Sequence, residues 1–167
     1  MEKESTFRLR GIRARRIARR TIAKVPRSPP PSSAHVSRVM RANKAKNTIP
    51  EKRLRQALRS LGLHGYRIAP KGVPGRPDVA FLKQRLAVFV NGCFWHRCPR
   101  HRWKIPKSNS AYWKTKFRLN CERDRRKNRT LLEAGWEVLV IWECELRADA
   151  GRCGSRVARA LVRRLDL

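Results

Sequence analysis

Seven residues, "WEVLVIW" at 136–142, leave this chain little choice of architecture. Their β-branched run reads as a buried strand, and such a strand needs partners at its edges and cover on its faces. The partners are "VAFL" and "RLAVFVNG", read as a β-hairpin turning near Lys83–Gln84. "VPGRPD" (73–78) is the turn cluster that enters the first of these strands. Helices supply the cover. "TIPE" (48–51) has the form of a capping box, with Pro50 tolerated in the first turn. Leu54, Leu58 and Leu61 follow at helical spacing, and Gly62 suits the stop. Residues 109–134 read as a long, highly charged helix ending at Gly135, and 152–165 as a closing basic helix with Val157, Leu161 and Leu165 on one face. The order α-β-β-α-β-α predicts an α/β fold, a mixed sheet flanked by helices.

The charge limits the partners. Against 12 Asp and Glu the chain carries 42 Lys and Arg, a formal net charge of +30 over 167 residues. Self-repulsion at that level is costly unless a polyanion is the usual partner. Nucleic acid leads, because each neutralised phosphate releases counterions; an anionic membrane surface is the competitor. No apolar run reaches the roughly 18 residues of a membrane span, which excludes integral insertion. Five cysteines, at 93, 98, 121, 144 and 153, are an odd number, and no secretory signal is visible. A disulfide framework is therefore not expected, and a reducing cytoplasm is. Residues 1–27 hold ten Lys and Arg with two Glu, and "PRSPPPSS" follows at 26–33. Residues 1–35 read as a basic, Pro-rich extension without a core, and 36–167 as the folded domain.

The densest chemistry lies in "NGCFWHRCPRH", 91–101. Cys93, Cys98 and His101 stand at C-x4-C-x2-H, close to structural-zinc spacing, and Cys144 of "WEC" is a fourth N/S donor from the end of a neighbouring strand. The competing reading is ordinary buried thiols and a surface histidine. Cys121 and Cys153 have no matching partners and read as packing residues. Asp78 opens a strand just after Pro77, where a carboxylate can hold Mg²⁺ against a scissile phosphate in the manner of PD-(D/E)xK nucleases. The second strand lacks their Glu-x-Lys, reading Val88-Phe89-Val90-Asn91, and a turn-capping aspartate is the simpler alternative. His96 has the chemistry to take a proton from attacking water or give one to a leaving oxygen, with a further metal ligand or a surface residue as alternatives. Asp124, within "NCERDRRKN", belongs to a solvated helix face unless it turns inward, where it would orient a histidine or hold metal-bound water. Phe94, Trp95 and Trp113 are core aromatics by default; in a DNA binder such rings also wedge between base pairs.

Taken in order, "SRVMRANKAKNTIPEKRL", "VPGRPD", "NGCFWH", "KIPKSNSAYW", "NCERDRRKN" and "GWEVLVIWEC" resemble the very short patch repair (Vsr) mismatch endonuclease family, from about Ser37 to Leu146. The resemblance implies a restriction-endonuclease-like fold, related to the PD-(D/E)xK nucleases, with a structural zinc site. It implies Mg²⁺-dependent nicking of duplex DNA immediately 5′ of the thymine in T·G mismatches, which arise when 5-methylcytosine deaminates. By resemblance Asp78 is the Mg²⁺ carboxylate and the Val90 main-chain carbonyl a second ligand. His96 is the catalytic histidine, Asp124 supports it, and Glu51 falls on an active-site acidic position while also suiting a helix cap. Phe94, Trp95, Trp113 and Met40 fall on the residues that wedge the mismatch, and Cys93, Cys98, His101 and Cys144 on the zinc ligands. Duplex DNA with a T·G mismatch is the implied partner of a monomeric enzyme, with mismatch-repair proteins as candidate further partners. Asn91 departs from the family by standing where some members have a histidine. Two other readings compete: a nuclease of this fold without mismatch specificity, and a noncatalytic zinc-stabilised DNA-binding protein. Removal of residues 1–35 is expected to lower nonspecific DNA affinity and flatten its salt dependence while leaving mismatch nicking detectable, as measured by binding titrations across a salt series.

Overall fold

The computed structural model describes residues 26–165 except 32, 44, 45 and 102, so the basic extension up to residue 25 lies outside the described residues. The elements run α1 (Ala34–Ala42), α2 (Ile49–Ser60), β1 (Val79–Phe81), β2 (Leu86–Asn91), α3 (Ser110–Glu133), β3 (Glu137–Trp142), α4 (Glu143–Ala148) and α5 (Ala150–Arg163). The sheet order is β1-β2-β3, with β1 antiparallel to β2 and β2 parallel to β3. It is a mixed sheet, as the sequence predicts. A hairpin joins the antiparallel pair, and the parallel pair requires a crossover, supplied by α3.

β2 sits in the centre and is buried on both faces. Leu86 and Val88 point into a core shared with Leu54 and Leu58 of α2, Ile141 of β3, and Val157 and Leu161 of α5. Ala87 and Phe89 point the other way, toward Val73, Leu131 and the half-buried Trp136 and Val138. The period of two in the strand thus separates two helical layers, α2 with α5 on one side and α3 on the other.

Local signals set the element ends. Thr48 Oγ1 accepts from the Glu51 amide at 3.4 Å, and the Glu51 carboxylate returns a bond to the Asn47 amide at 2.9 Å. That is a capping box displaced by one residue at its return bond. α2 stops where Gly62 takes φ 69°, and α3 stops where Gly135 takes φ 77°, conformations that favour glycine. The Trp136 amide then reaches back to the Leu131 carbonyl at 3.0 Å and turns the chain into β3.

Four features differ from the sequence reading. β3, read as a buried strand, lies at the sheet edge, and Ile141 is its one buried residue. α1 is capped by Ser33, whose hydroxyl accepts from the Val36 amide at 3.2 Å; Val36, Val39 and Met40 stand at helical spacing along it, but it buries none of its residues. α4 is a single short helix packed between β3 and α5, too brief to show a period. Leu165 does not share the face of Val157 and Leu161: α5 ends at Arg163, and Leu165 is 69% exposed. Leu58→Ala should cost about 2–5 kcal/mol of stability, as a cavity in a dry core. Leu165→Ala should stay within about 0.5 kcal/mol. Urea unfolding of the two variants tests this division of core from surface.

Candidate active site and metal centre

The parallel register brings the chemistry together. Asn91 pairs with Trp142 at the carboxyl ends of β2 and β3. Cys93 and Cys144 each follow two residues later, so the chain leaves both strands side by side. Ligand sites in α/β sheets tend to form at this edge. The Sγ atoms of Cys93, Cys98 and Cys144 and a ring nitrogen of His101 all lie within 4.8 Å of one another. Two thiolates about 2.3 Å from one tetrahedral ion sit about 3.8 Å apart. Cys98 and Cys144 are 3.9 Å apart, and two neutral thiols gain little from such contact. The donor set and its spacing fit Zn²⁺.

The loop around these cysteines is tightly tied. The Cys98 amide donates to the Cys93 carbonyl at 2.9 Å, and the Cys93 amide donates to Glu143 Oε2 at 3.2 Å. Burial pushes the Cys93 thiol up to about 12 and raises that of Cys98 as well. A cation is what would reverse that penalty, since a coordinated thiol ionises.

Beside this loop lies an acidic centre. Asp78 precedes β1 at the same edge of the sheet, and its Oδ2 accepts from the Val90 amide at 2.7 Å. In a strand the amide and carbonyl of one residue project to the same side, so the Val90 carbonyl projects toward the Asp78 edge too. Burial, with the charge of Glu51 adding, pushes the Asp78 carboxyl up to about 6; the Val90 amide, Lys127 and His96 pull it down. Hard divalent cations take this kind of carboxylate and carbonyl set.

His96 Nδ1 lies 2.5 Å from Asp124 Oδ2. The helix face bearing Asp124 is therefore turned inward, and the solvated alternative is set aside. Its neighbours hold the same loop: Asn120 Nδ2 donates to the Trp95 carbonyl at 3.1 Å, and the Cys121 thiol lies 3.8 Å from the His96 carbonyl. Cys121 thus packs under the His96 loop, while Cys153 is buried in the α2–α5 core. Glu51 keeps its cap and faces the centre as well. Its carboxylate bonds Asn47 and Thr48, lies 3.6 Å from Arg55, and acts on Asp78 by charge.

The aromatics form one cluster with Phe94 at its hub. Its ring lies 5.2 Å from Trp95, 5.5 Å from Trp113, 6.0 Å from Trp103 and 5.1 Å from Phe117, each edge to face. Phe117 is buried, whereas Phe94, Trp95 and Trp113 are half-exposed. Packing and surface presentation are both served by the same rings. Met40 stands apart from this cluster in the chain order and is 37% exposed on α1. The sequence reading overlooked Asn120, Glu143 and Lys127. The signal for two of them was present: Phe117, Asn120, Asp124, Lys127 and Leu131 recur at spacings of three and four, which marks one helix face.

The family model described as DNA mismatch endonuclease Vsr matches residues 32–104. Type II nicking enzyme V.XorIIP of Xanthomonas oryzae pv. oryzae is 42% identical over 123 residues, covering 74% of this chain and 89% of that protein. Type II nicking enzyme V.NaeI of Lentzea aerocolonigenes is 46% identical over 127 residues, 73% of this chain and 75% of that protein. DNA mismatch endonuclease Vsr of Escherichia coli is 41% identical over 111 residues, 66% of this chain and 70% of that protein. These likenesses define a DNA endonuclease. The chain belongs to the Vsr family of DNA mismatch endonucleases. Among the described residues no helix is long and apolar enough to cross a membrane.

Proposed function

We propose that this endonuclease nicks one strand of duplex DNA immediately 5′ of the thymine in a T·G mismatch, by Mg²⁺-dependent hydrolysis. The observation that carries the reading is the His96–Asp124 pair standing at the same sheet edge as the half-buried Asp78 carboxylate. With Nδ1 engaged by Asp124, His96 keeps Nε2 for the proton of the attacking water. Asp124 fixes the ring and steadies the imidazolium once that proton arrives. Asp78 and the Val90 carbonyl would hold Mg²⁺, which supplies positive charge to the phosphate as negative charge builds on it. Glu51 adds a second carboxylate to that centre. The new bond joins water oxygen to phosphorus, the bond to the 3′ oxygen breaks, that oxygen takes a proton from solvent water, and the products are a 3′-hydroxyl and a 5′-phosphate.

The half-exposed rings of Phe94, Trp95 and Trp113, with Met40 from α1, are the wedge in this reading. A T·G wobble stacks less well than a matched pair, so opening the duplex there costs less. The sheet and its helices constitute a restriction-endonuclease-like domain over 36–167, and residues 1–35 add nonspecific affinity for phosphate. Zn²⁺ bound by Cys93, Cys98, His101 and Cys144 leaves no open coordination position, and its role is to hold the loop.

In nicking assays on matched pairs of T·G and T·A duplexes, wild type should cut only the mismatch, and chelation of Mg²⁺ should stop it. Asp78→Ala should abolish cutting, and His96→Ala should slow it by about 10²-fold or more, while both keep their affinity for the mismatch. Wild-type rates in both variants would overturn the assignment of the centre. Equal cutting of T·G and T·A would leave a nuclease without mismatch specificity.

For the metal loop, elemental analysis of the purified chain should find about one zinc per chain. Cys93→Ala and Cys144→Ala should each lower zinc content and soluble yield together. A metal-free chain with an unchanged unfolding transition would remove zinc from the account.

A further inference from the structure

β2 runs Leu86 to Asn91 without a charged side chain, so a cation beside Asp78 has to come from another element. Lys127 meets that need. It stands three residues beyond Asp124 on α3, hence on the same inward face of the helix. Continuing the β1–β2 register by one residue from the Val79–Val88 pair brings Phe89 opposite Asp78. The Lys127 ammonium lies over the Phe89 ring, 5.9 Å from its centroid.

The stem of Lys127 is gripped by the turn that delivers Asp78. A Cβ on Gly75 would lie 3.0 Å from Lys127 Cβ, 3.1 Å from Cγ and 3.3 Å from Cδ. Gly75 also takes φ 74°, so glycine answers both the backbone and the close approach. A lysine held along three stem carbons loses little further freedom when its ammonium binds. Among the described residues no carboxylate reaches ion-pair distance of that ammonium. At 5.9 Å the contact with Phe89 is at the outer limit of cation–π attraction and does not by itself account for the placement. The charge also reaches Asp78: burial dominates that carboxyl, and Lys127 is among the groups that oppose it.

We propose that Lys127 is a further catalytic residue, its ammonium binding a non-bridging oxygen of the scissile phosphate and stabilising the charge that builds there. The inference rests on Asp78 marking the place of the reaction. Lys127 neither gains nor loses a proton in the step; water oxygen bonds to phosphorus, the 3′ oxygen leaves, and His96 takes the proton. Preorganised charge aimed at a developing oxyanion is commonly the largest single contribution to such catalysis.

The test uses the full chain on a T·G duplex, with single-turnover nicking at saturating enzyme and equilibrium binding measured side by side. Lys127→Met keeps the stem against Gly75 and removes the charge, and it should slow nicking by about 10²-fold with affinity within about threefold of wild type. Lys127→Arg should recover a large part of the rate, since the charge returns on a different fork. Should Lys127→Met lack a cooperative unfolding transition, Lys127→Gln takes its place with the same expectation. Nicking within about threefold of wild type, or a loss confined to binding, overturns the proposal. Asp78→Ala in the same assay separates the two readings. If it is inactive while Lys127→Met cuts normally, only the lysine assignment fails. If Asp78→Ala itself cuts normally, the centre has been misplaced.

Discussion

Parallel pairing of β2 with β3 is the interaction on which the rest depends. Its register, Asn91 against Trp142, makes two chain segments 51 residues apart leave the sheet together. A slip of one residue would turn every side chain of β3 to the other face. Ile141 would leave the α2–α5 core, and Cys144 would no longer meet Cys93 and Cys98. The four-donor cluster is therefore a readout of strand register as much as a motif in the sequence. The same pairing fixes the crossover helix, because α3 must span from the end of β2 to the start of β3 across one face. That constraint is what lays Asn120 and Asp124 over the loop that follows β2, and Lys127 over Phe89 of β2 itself.

The loop itself is held from three directions. Glu143, next to Cys144, accepts from the Cys93 amide; Asn120 grips the Trp95 carbonyl; Asp124 grips the His96 ring. Arg97 sits in the left-handed region at φ 56° and donates to the Trp103 carbonyl, with its guanidinium 4.7 Å from the centre of the Phe117 ring. Apart from the Arg97–Trp103 bond, which lies within the loop, each tie crosses to another element, so the aromatic cluster and the histidine share one base. Catalytic geometry tolerates errors of only about half an ångström. A loop anchored by α3, by α4 and by a cluster of metal-type donors can meet that demand where a free loop could not.

How much of this was legible in the sequence follows from how each feature is encoded. The strands and α2 announced themselves through period and caps, which are local properties. Gly62 and Gly135 marked helix ends because only their backbone suits the turn. The Cys and His spacing pointed to a metal-type cluster, and the geometry bears out that the four donors meet. Leu165 misled because periodicity says where a face would continue, and not where the helix stops. α1 carries its period in only three residues, Val36, Val39 and Met40, too few to mark a helix by themselves. The inward turn of Asp124 was hidden for a different reason. Arg123, Arg125 and Arg126 surround it in sequence, and a run of charge looks solvated until the helix is wound and only every third or fourth residue faces in.

The excess of positive charge is also more ordered than its total suggests. Carboxylates are largely engaged within the chain: Glu145 accepts from the Trp142 amide at 2.8 Å and pairs with Arg100 and Arg156, and Asp149 caps α5 through the Arg152 amide. Glu137 pairs with Arg163, and Glu143 with Arg147. Each acid so engaged contributes little negative field outward, and the remaining Lys and Arg dominate the potential that a phosphate backbone meets. Asp78 is the exception. Its one direct partner is an amide, burial weighs against its charge, and Glu51 weighs against it again. Lys127 and His96 act on it by charge, yet among the described residues no cation stands at ion-pair distance of it. That leaves the position open to a cation that does not belong to the chain, which is the condition a metal-dependent phosphodiesterase needs.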